Sequence, residues 1–137
     1  NVYMFDAGDQ HIEFAVVSMG NPHAVIFVDD VNSLDVQEIG SQLEVDSRFP
    51  NRTNVQFVQV EDRQNIKQRI FERGVGETMA SGSGACAAAA VAQQKNRVDD
   101  MVKITMPGGA LEIHSDKNGC LLMTGPTEFS FEGSVYV

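Results

Sequence analysis

Gly82-Ser83-Gly84-Ala85-Cys86-Ala87-Ala88-Ala89-Ala90-Val91-Ala92-Gln93-Gln94-Lys95 is the stretch on which the fold turns. Ala85, Cys86, four consecutive alanines, Val91 and Ala92 leave no polar face before Gln93. A helix that is small and apolar all round has no side to offer water, so it belongs inside the protein. The segment from about 82 to 95 therefore predicts a central buried helix, and Lys95 and Arg97 stand where cations complement the C-terminal end of the helix dipole.

Outside that helix, short β-rich runs alternate with turn signals. The runs are Val2 to Phe5, Ile12 to Val17, Ala24 to Val28, Val55 to Val60, Ile66 to Phe71, Val102 to Met106, Leu111 to Ile113, Leu121 to Met123 and Ser134 to Val137. Gly8-Asp9, Asn21-Pro22, Pro107-Gly108-Gly109, Lys117-Asn118-Gly119 and Gly125-Pro126 separate most of them. A largely antiparallel sheet is expected. A surface helix is predicted over about Val36 to Glu44, because Asp35 and Glu38 have capping-box spacing and Val36, Ile39 and Leu43 share one face. A mostly antiparallel sheet wrapped around one central buried helix satisfies both patterns, and the class is α+β.

Composition narrows the partners. The 137 residues, 42% hydrophobic, suit one compact domain or one half of a larger two-domain protein. No run approaches the roughly 18 apolar residues of a membrane span, so a soluble chain is expected and a membrane is not an expected partner. Nineteen acidic against ten basic residues give a net charge of −9 and no basic stripe, which argues against nucleic acid. Cys86 and Cys120 lie in unrelated contexts and suit a reducing compartment, hence a cytoplasmic location. The chain opens at Asn1 without an initiator Met or an apolar leader, so any targeting segment is expected to be absent or removed upstream. No cluster has metal-ligand spacing and no lysine has a Schiff-base setting, so chemistry without metal or cofactor is expected.

Just before the helix lies Glu72-Arg73-Gly74-Val75-Gly76-Glu77-Thr78-Met79-Ala80-Ser81-Gly82-Ser83-Gly84, with four glycines, two serines and a Glu-Arg pair in thirteen residues. A glycine-rich approach lets the N–H groups of the first helical turn meet a ligand, and the dipole there favours an anion such as an amino-acid carboxylate. Gly82-Ser83-Gly84-Ala85-Cys86-Ala87 has the dinucleotide spacing, yet no strand abuts it and no acid follows about 20 residues on at a strand end. A phosphate-binding loop would need a lysine before the Ser/Thr. A nucleophile elbow needs glycine two residues before and two after the serine, which neither Ser81 nor Ser83 has.

ERGVGETMASGSGACA, Glu72 to Ala87, resembles the ERGxGETxACGTGxCA signature of the diaminopimelate epimerases, a family within a wider group of cofactor-independent amino-acid racemases and isomerases. The resemblance extends, in order, through VSMGNPHAV at Val17 to Val25, FPNRTNVQFVQV at Phe49 to Val60, MPGGALEI at Met106 to Ile113 and MTGP at Met123 to Pro126. It is similar to the C-terminal half of that family. The resemblance implies inversion of one α-carbon of LL-diaminopimelate to the meso form, on the route to lysine and peptidoglycan, by two cysteines on opposite faces. One cysteine would come from an N-terminal half absent from this chain; the other corresponds to Ser81. Residues 1–128 would then be the C-terminal epimerase domain, and 129–137 a final strand returning to the N-terminal half. A homodimer is implied as well.

By the same resemblance, Glu72 and Arg73 grip the distal amino-acid centre of the substrate, Arg73 by a bidentate pair with its carboxylate, and Glu72 also tunes the acid/base group at position 81. Asn21 and Asn54 hydrogen-bond the substrate's polar ends. His23 assists the cysteine of the other half. Gly82 and Ser83 offer backbone N–H groups to the reacting carboxylate. From the residues alone the plainer roles are a strand-end ion pair for Glu72 and Arg73, a turn at Asn21-Pro22 and a structural histidine at 23. His11 and His114 are expected at the surface, Cys86 in the core and Cys120 in a strand. A serine cannot carry the proton that a thiol near pKa 8.5 can, so impaired turnover is expected. Ser81, in a signature that otherwise departs only in Ser83 for threonine, suggests an engineered Cys→Ser replacement, with a natural variant as the alternative. Other members of the fold group, such as a proline racemase or a phenazine-pathway isomerase, and a non-catalytic binding homologue are the competing functions.

Overall fold

The computed structural model describes every residue except Asn1, Asp9 and Val137. The Gly8-Asp9 turn signal and the last residue of the expected terminal strand therefore fall partly outside the described residues.

The elements follow in chain order: β1 (Val2–Ala7), β2 (Gln10–Ser18), β3 (Pro22–Phe27), α1 (Val36–Glu44), β4 (Asn54–Asp62), β5 (Asn65–Glu72), β6 (Gly76–Thr78), α2 (Gly82–Gln94), β7 (Met101–Met106), β8 (Gly109–Ser115) and β9 (Leu121–Thr124). Among the described residues the strands form one sheet in the order β1-β2-β3-β4-β5-β7-β8-β9, with β6 on β5. Pairing is antiparallel except between β3 and β4 and between β5 and β7. Each parallel pair is joined by a connection that carries a helix, α1 in the first and α2 in the second, as a parallel crossover requires.

The two helices use opposite faces of the sheet, sorted by the strands' two-residue period. On β3, Val25 joins the cluster around α2, whereas Ala24 and Ile26 join Val36, Ile39 and Leu43 of α1. Ile66 and Ile70 on β5 face α2, and Phe71 faces α1. Helix α2 touches β2, β3 and β4 on one side and β7, β8 and β9 on the other, so the sheet curls around it. Ala85, Ala87, Ala88, Ala89, Val91 and Ala92 are buried on all sides. Alanine is what makes this geometry available, because only short side chains let strands approach a helix closely from several directions in a close-packed interior.

Helix α1 begins as its spacing predicts, with the Asp35 side chain accepting the Glu38 backbone N–H at 2.8 Å. Three expectations are corrected. The sheet gains β6, a three-residue strand inside the glycine-rich stretch, which pairs Gly76 with Glu72 across a turn containing Gly74 at φ 75. Cys120 sits in the turn before β9 rather than in a strand, its N–H donating to Asp116 Oδ1 at 2.8 Å. The expected strand at Ser134 does not form through Tyr136; residues 125–136 carry no strand or helix, and Phe129, Phe131, Val135 and Tyr136 are exposed. A strand needs a partner for its backbone groups, and among the described residues β9 pairs only with β8.

Helix α1 lies so close to β5 that a Cβ on Gly40 would come within 2.5 Å of the Phe71 ring. Replacing glycine by alanine inside a helix gains about 1 kcal/mol of propensity, while forcing volume into a filled core costs about 1–3 kcal/mol. We expect overpacking to win: Gly40→Ala lowers the urea midpoint of unfolding at unchanged slope.

Candidate functional site

Strand pairing gathers the candidate residues at one edge of the sheet. Parallel β3 and β4 both start there, with His23 opposite Asn54, and antiparallel β5 ends there at Glu72. Close approach of α2 brings its N-terminus to the same edge, because a Cβ on Gly84 would stand 2.7 Å from Oε1 of Gln56. The preceding segment is held from the other side, where the Gly108 N–H donates to the Met79 carbonyl at 2.7 Å. Asn21, His23, Asn54, Glu72, Arg73, Ser81, Gly82 and Ser83 are thus brought to one end of the fold by three strands and one helix.

Ser81 is the N-cap of α2. Its backbone is extended, with φ −151 and ψ 121, and its Oγ accepts the Gly84 N–H at 3.2 Å. That leaves the N–H groups of Gly82 and Ser83 without a hydrogen bond among the described residues, directed outward at the positive end of the dipole. An acceptor-bearing anion fits there.

Glu72 and Arg73 do not pair with each other. Glu72 Oε1 accepts from Thr78 Oγ1 at 2.7 Å across the β5–β6 hairpin, and the exposed Arg73 donates through Nη1 to the Asn51 carbonyl at 3.1 Å. Asn54, only 5% exposed, is a strut: its Nδ2 donates to the Pro22 carbonyl and its Oδ1 accepts the Arg73 N–H, both at 3.0 Å. It ties β3 to the end of β5 and keeps one amide N–H for anything else. The same turn is anchored from α1 by the buried Glu44, whose Oε1 accepts the Gly74 N–H at 2.6 Å.

His23 is fully buried, between Asn21 Oδ1 at 3.0 Å from Nε2 and Gln56 Nε2 at 2.9 Å from Nδ1. Its pKa is lowered from 6.5 to about 4, first by burial; nearby Glu72 opposes the shift and Arg73 adds to it. Gln56 and Gln68 continue the buried polar line, and with Thr78 and Glu44 they are residues to which the sequence alone assigned no role. In sequence Gln68 falls in the two-residue phase of Ile66 and Ile70, and Gln56 lies within the matching run Phe49 to Val60. His11 and His114 are at the surface as expected, and Cys86 is half-buried against the core with burial raising its thiol pKa. Among the described residues no group of three or more His, Cys, Asp or Glu is arranged around a metal position, and no helix is long and apolar enough to cross a membrane. A cavity of about 590 Å³ lies elsewhere, among Asp29, Asp30, Asp35 and Glu38, and touches none of these residues.

The depressed His23 pKa has a definite consequence for stability. Below pH 6.5 the unfolded chain binds a proton that the folded chain refuses until about pH 4, so stability is lost as pH falls through that window. The loss attributable to His23 is on the order of 3 kcal/mol. Urea unfolding of the protein and of His23→Gln between pH 7 and pH 4 measures it: the variant should lose less stability across that range.

Comparison with known proteins follows the same lines. The diaminopimelate epimerase family model matches residues 15–130. A diaminopimelate epimerase of Pseudomonas syringae is 48% identical over 134 residues, covering 97% of this chain and 49% of that protein. One from Acinetobacter baumannii is 46% identical over 127 residues, covering 93% of this chain and 45% of that protein. The chain spans about half the length of these relatives. In fold it is similar to a probable proline racemase from Agrobacterium radiobacter, with a TM-score of 0.60 at 16% identity over 82% of this chain and 40% of that one. It is also similar to a methylitaconate-delta-isomerase, with a TM-score of 0.59 at 16% identity over 88% of this chain and 45% of that one. With the family model matching most of its length and relatives close to half identical along nearly all of it, the chain belongs to the diaminopimelate epimerase family.

Proposed function

We propose that this chain is the C-terminal half of a cofactor-independent diaminopimelate epimerase whose acid/base position, residue 81, holds serine in place of cysteine. The observation that carries the reading is the N-terminus of α2, where the Gly82 and Ser83 N–H groups stand free beside Ser81. A substrate carboxylate bound there lies against the positive end of the helix dipole, and charge growing as the α-proton leaves is stabilised by the same donors. A thiol at position 81 is lowered toward neutral pH by that dipole and can carry the proton; a hydroxyl cannot. Glu72 and Arg73 hold the distal end of the substrate, Arg73 by turning from the Asn51 carbonyl to the carboxylate.

The second cysteine belongs to an N-terminal half, in keeping with the half-length match to relatives. That half also covers the exposed Phe129, Phe131, Val135 and Tyr136, and the whole works in the cytoplasm as a homodimer without pyridoxal phosphate. A second reading, a substrate-binding homologue without turnover, draws on the same serine, whose Oγ is engaged as a helix cap.

Both readings meet one experiment. This chain is joined to the N-terminal half of a relative, and release of α-deuterium from diaminopimelate is measured with Ser81 and with Ser81→Cys. We expect the cysteine protein to release label faster by about 10²-fold or more, as for restoring a proton carrier. No release in either protein, with diaminopimelate still bound, decides for the binding homologue. In the joined protein the amides of residues 127–136 should become protected from hydrogen exchange; unchanged exchange there refutes the assigned role of the tail.

A further inference from the structure

A line of amides runs beneath the α2 N-terminus and ends at the site. Gln68, 1% exposed on β5, donates from Nε2 to Gln56 Oε1 on β4 at 2.6 Å. Gln56, fully buried, places its own Nε2 2.9 Å from His23 Nδ1. His23 places Nε2 3.0 Å from Asn21 Oδ1. An amide nitrogen only donates and an amide oxygen only accepts, so each bond has one direction: Nδ1 of His23 accepts, and Nε2 carries the proton and donates.

The buried end of the line selects that direction. Gln68 Oε1 is the buried side-chain atom left without a hydrogen-bond partner among the described residues. Turning all the amides over would put the NH2 group of Gln68 where Oε1 now stands and leave both of its N–H donors unmade, against one N–H and one acceptor in the observed orientation. A carbonyl oxygen is the lesser loss, so the line runs outward from Gln68 as a succession of donors, each polarising the next.

We propose that Gln68 and Gln56 are positioning residues that hold His23 as the neutral tautomer protonated on Nε2, and thereby turn the Asn21 amide so that it presents NH2 to a ligand. Asn21 Oδ1 is engaged by His23, and Asn21 Nδ2 makes no hydrogen bond among the described residues. Position 21 therefore selects an acceptor, such as a carboxylate oxygen, against a donor such as an ammonium group. That last step rests on the epimerase reading, whereas the tautomer does not. The lone pair on Nδ1 is taken by Gln56, so His23 serves as a fixed donor rather than as a base. The low pKa of His23 agrees with this, since an imidazolium would have to break the bond from Gln56.

Two-bond proton–nitrogen spectra of the 137-residue chain, labelled with ¹⁵N-histidine and recorded at pH 7, read the tautomer directly. We expect a pyrrole-type Nε2 and a pyridine-type Nδ1 for His23. Gln56→Met should shift both signals toward the averaged values of a free imidazole, and Gln68→Met, which frees Gln56 to turn, should do so partially. Gln56→Glu, close in volume but able only to accept when ionised, should move the proton to Nδ1. His11 and His114 and the backbone amide spectrum report whether each variant is folded. A proton on Nδ1 in the unaltered chain overturns the proposal, as does a pure Nε2 tautomer that persists in every folded variant. These spectra need no substrate, so the tautomer they reveal stands even if the joined protein fails to turn over diaminopimelate.

Discussion

Burial of α2 is the constraint on which the rest of this structure depends. The helix has no polar stripe from Ala85 to Ala92, so the chain is stable only if strands enclose it, and β2 to β4 and β7 to β9 do so from two sides. Each alanine contributes little by itself, because a single buried methyl is worth less than about 1 kcal/mol. The contribution comes from closeness: strands that approach an alanine helix from two sides take Ala85, Ala87, Ala88, Ala89, Val91 and Ala92 out of water together. The same closeness fixes the helix axially, since Gly84 meets Gln56 with no room for even one added carbon.

Function follows from where that enclosed helix must begin. A helix start carries free N–H groups that cannot be left buried without partners. Here the start emerges at the sheet edge where β3 and β4 begin and β5 ends, and the Gly82 and Ser83 N–H groups make no hydrogen bond among the described residues. Packing and chemistry share one cause: the demand that buries the helix body also delivers its positive end to the site. Struts from Asn54 and Glu44 hold the surrounding turns without themselves projecting outward.

Much of this was legible in the chain. The α1 boundaries follow from the Asp35 cap and the spacing of Val36, Ile39 and Leu43, and those of α2 from the run of alanines, because caps and periodicity act over one or two turns. Most strands lie within a few residues of their expected limits. The short β6 strand was hidden, since Gly76-Glu77-Thr78 is too short to show a period and forms a strand only because the Gly74 turn folds it back on β5. At Ser134 the β-rich composition was real but insufficient: a strand is a property of a pair, and among the described residues no partner is present.

The sequence by itself determined the family, through a dense signature around Ser81, and the existence of a buried helix, because both reside in contiguous residues. Only the tertiary structure decided what individual side chains do there. Glu72 and Arg73, adjacent in the chain, turn to different partners, while Gln68, Gln56, His23 and Asn21, spread over three strands and a turn, join into one line. The physical reason is that hydrogen bonds depend on direction and separation in space. Strand register sets both, and it follows from the pairing of segments distant in sequence.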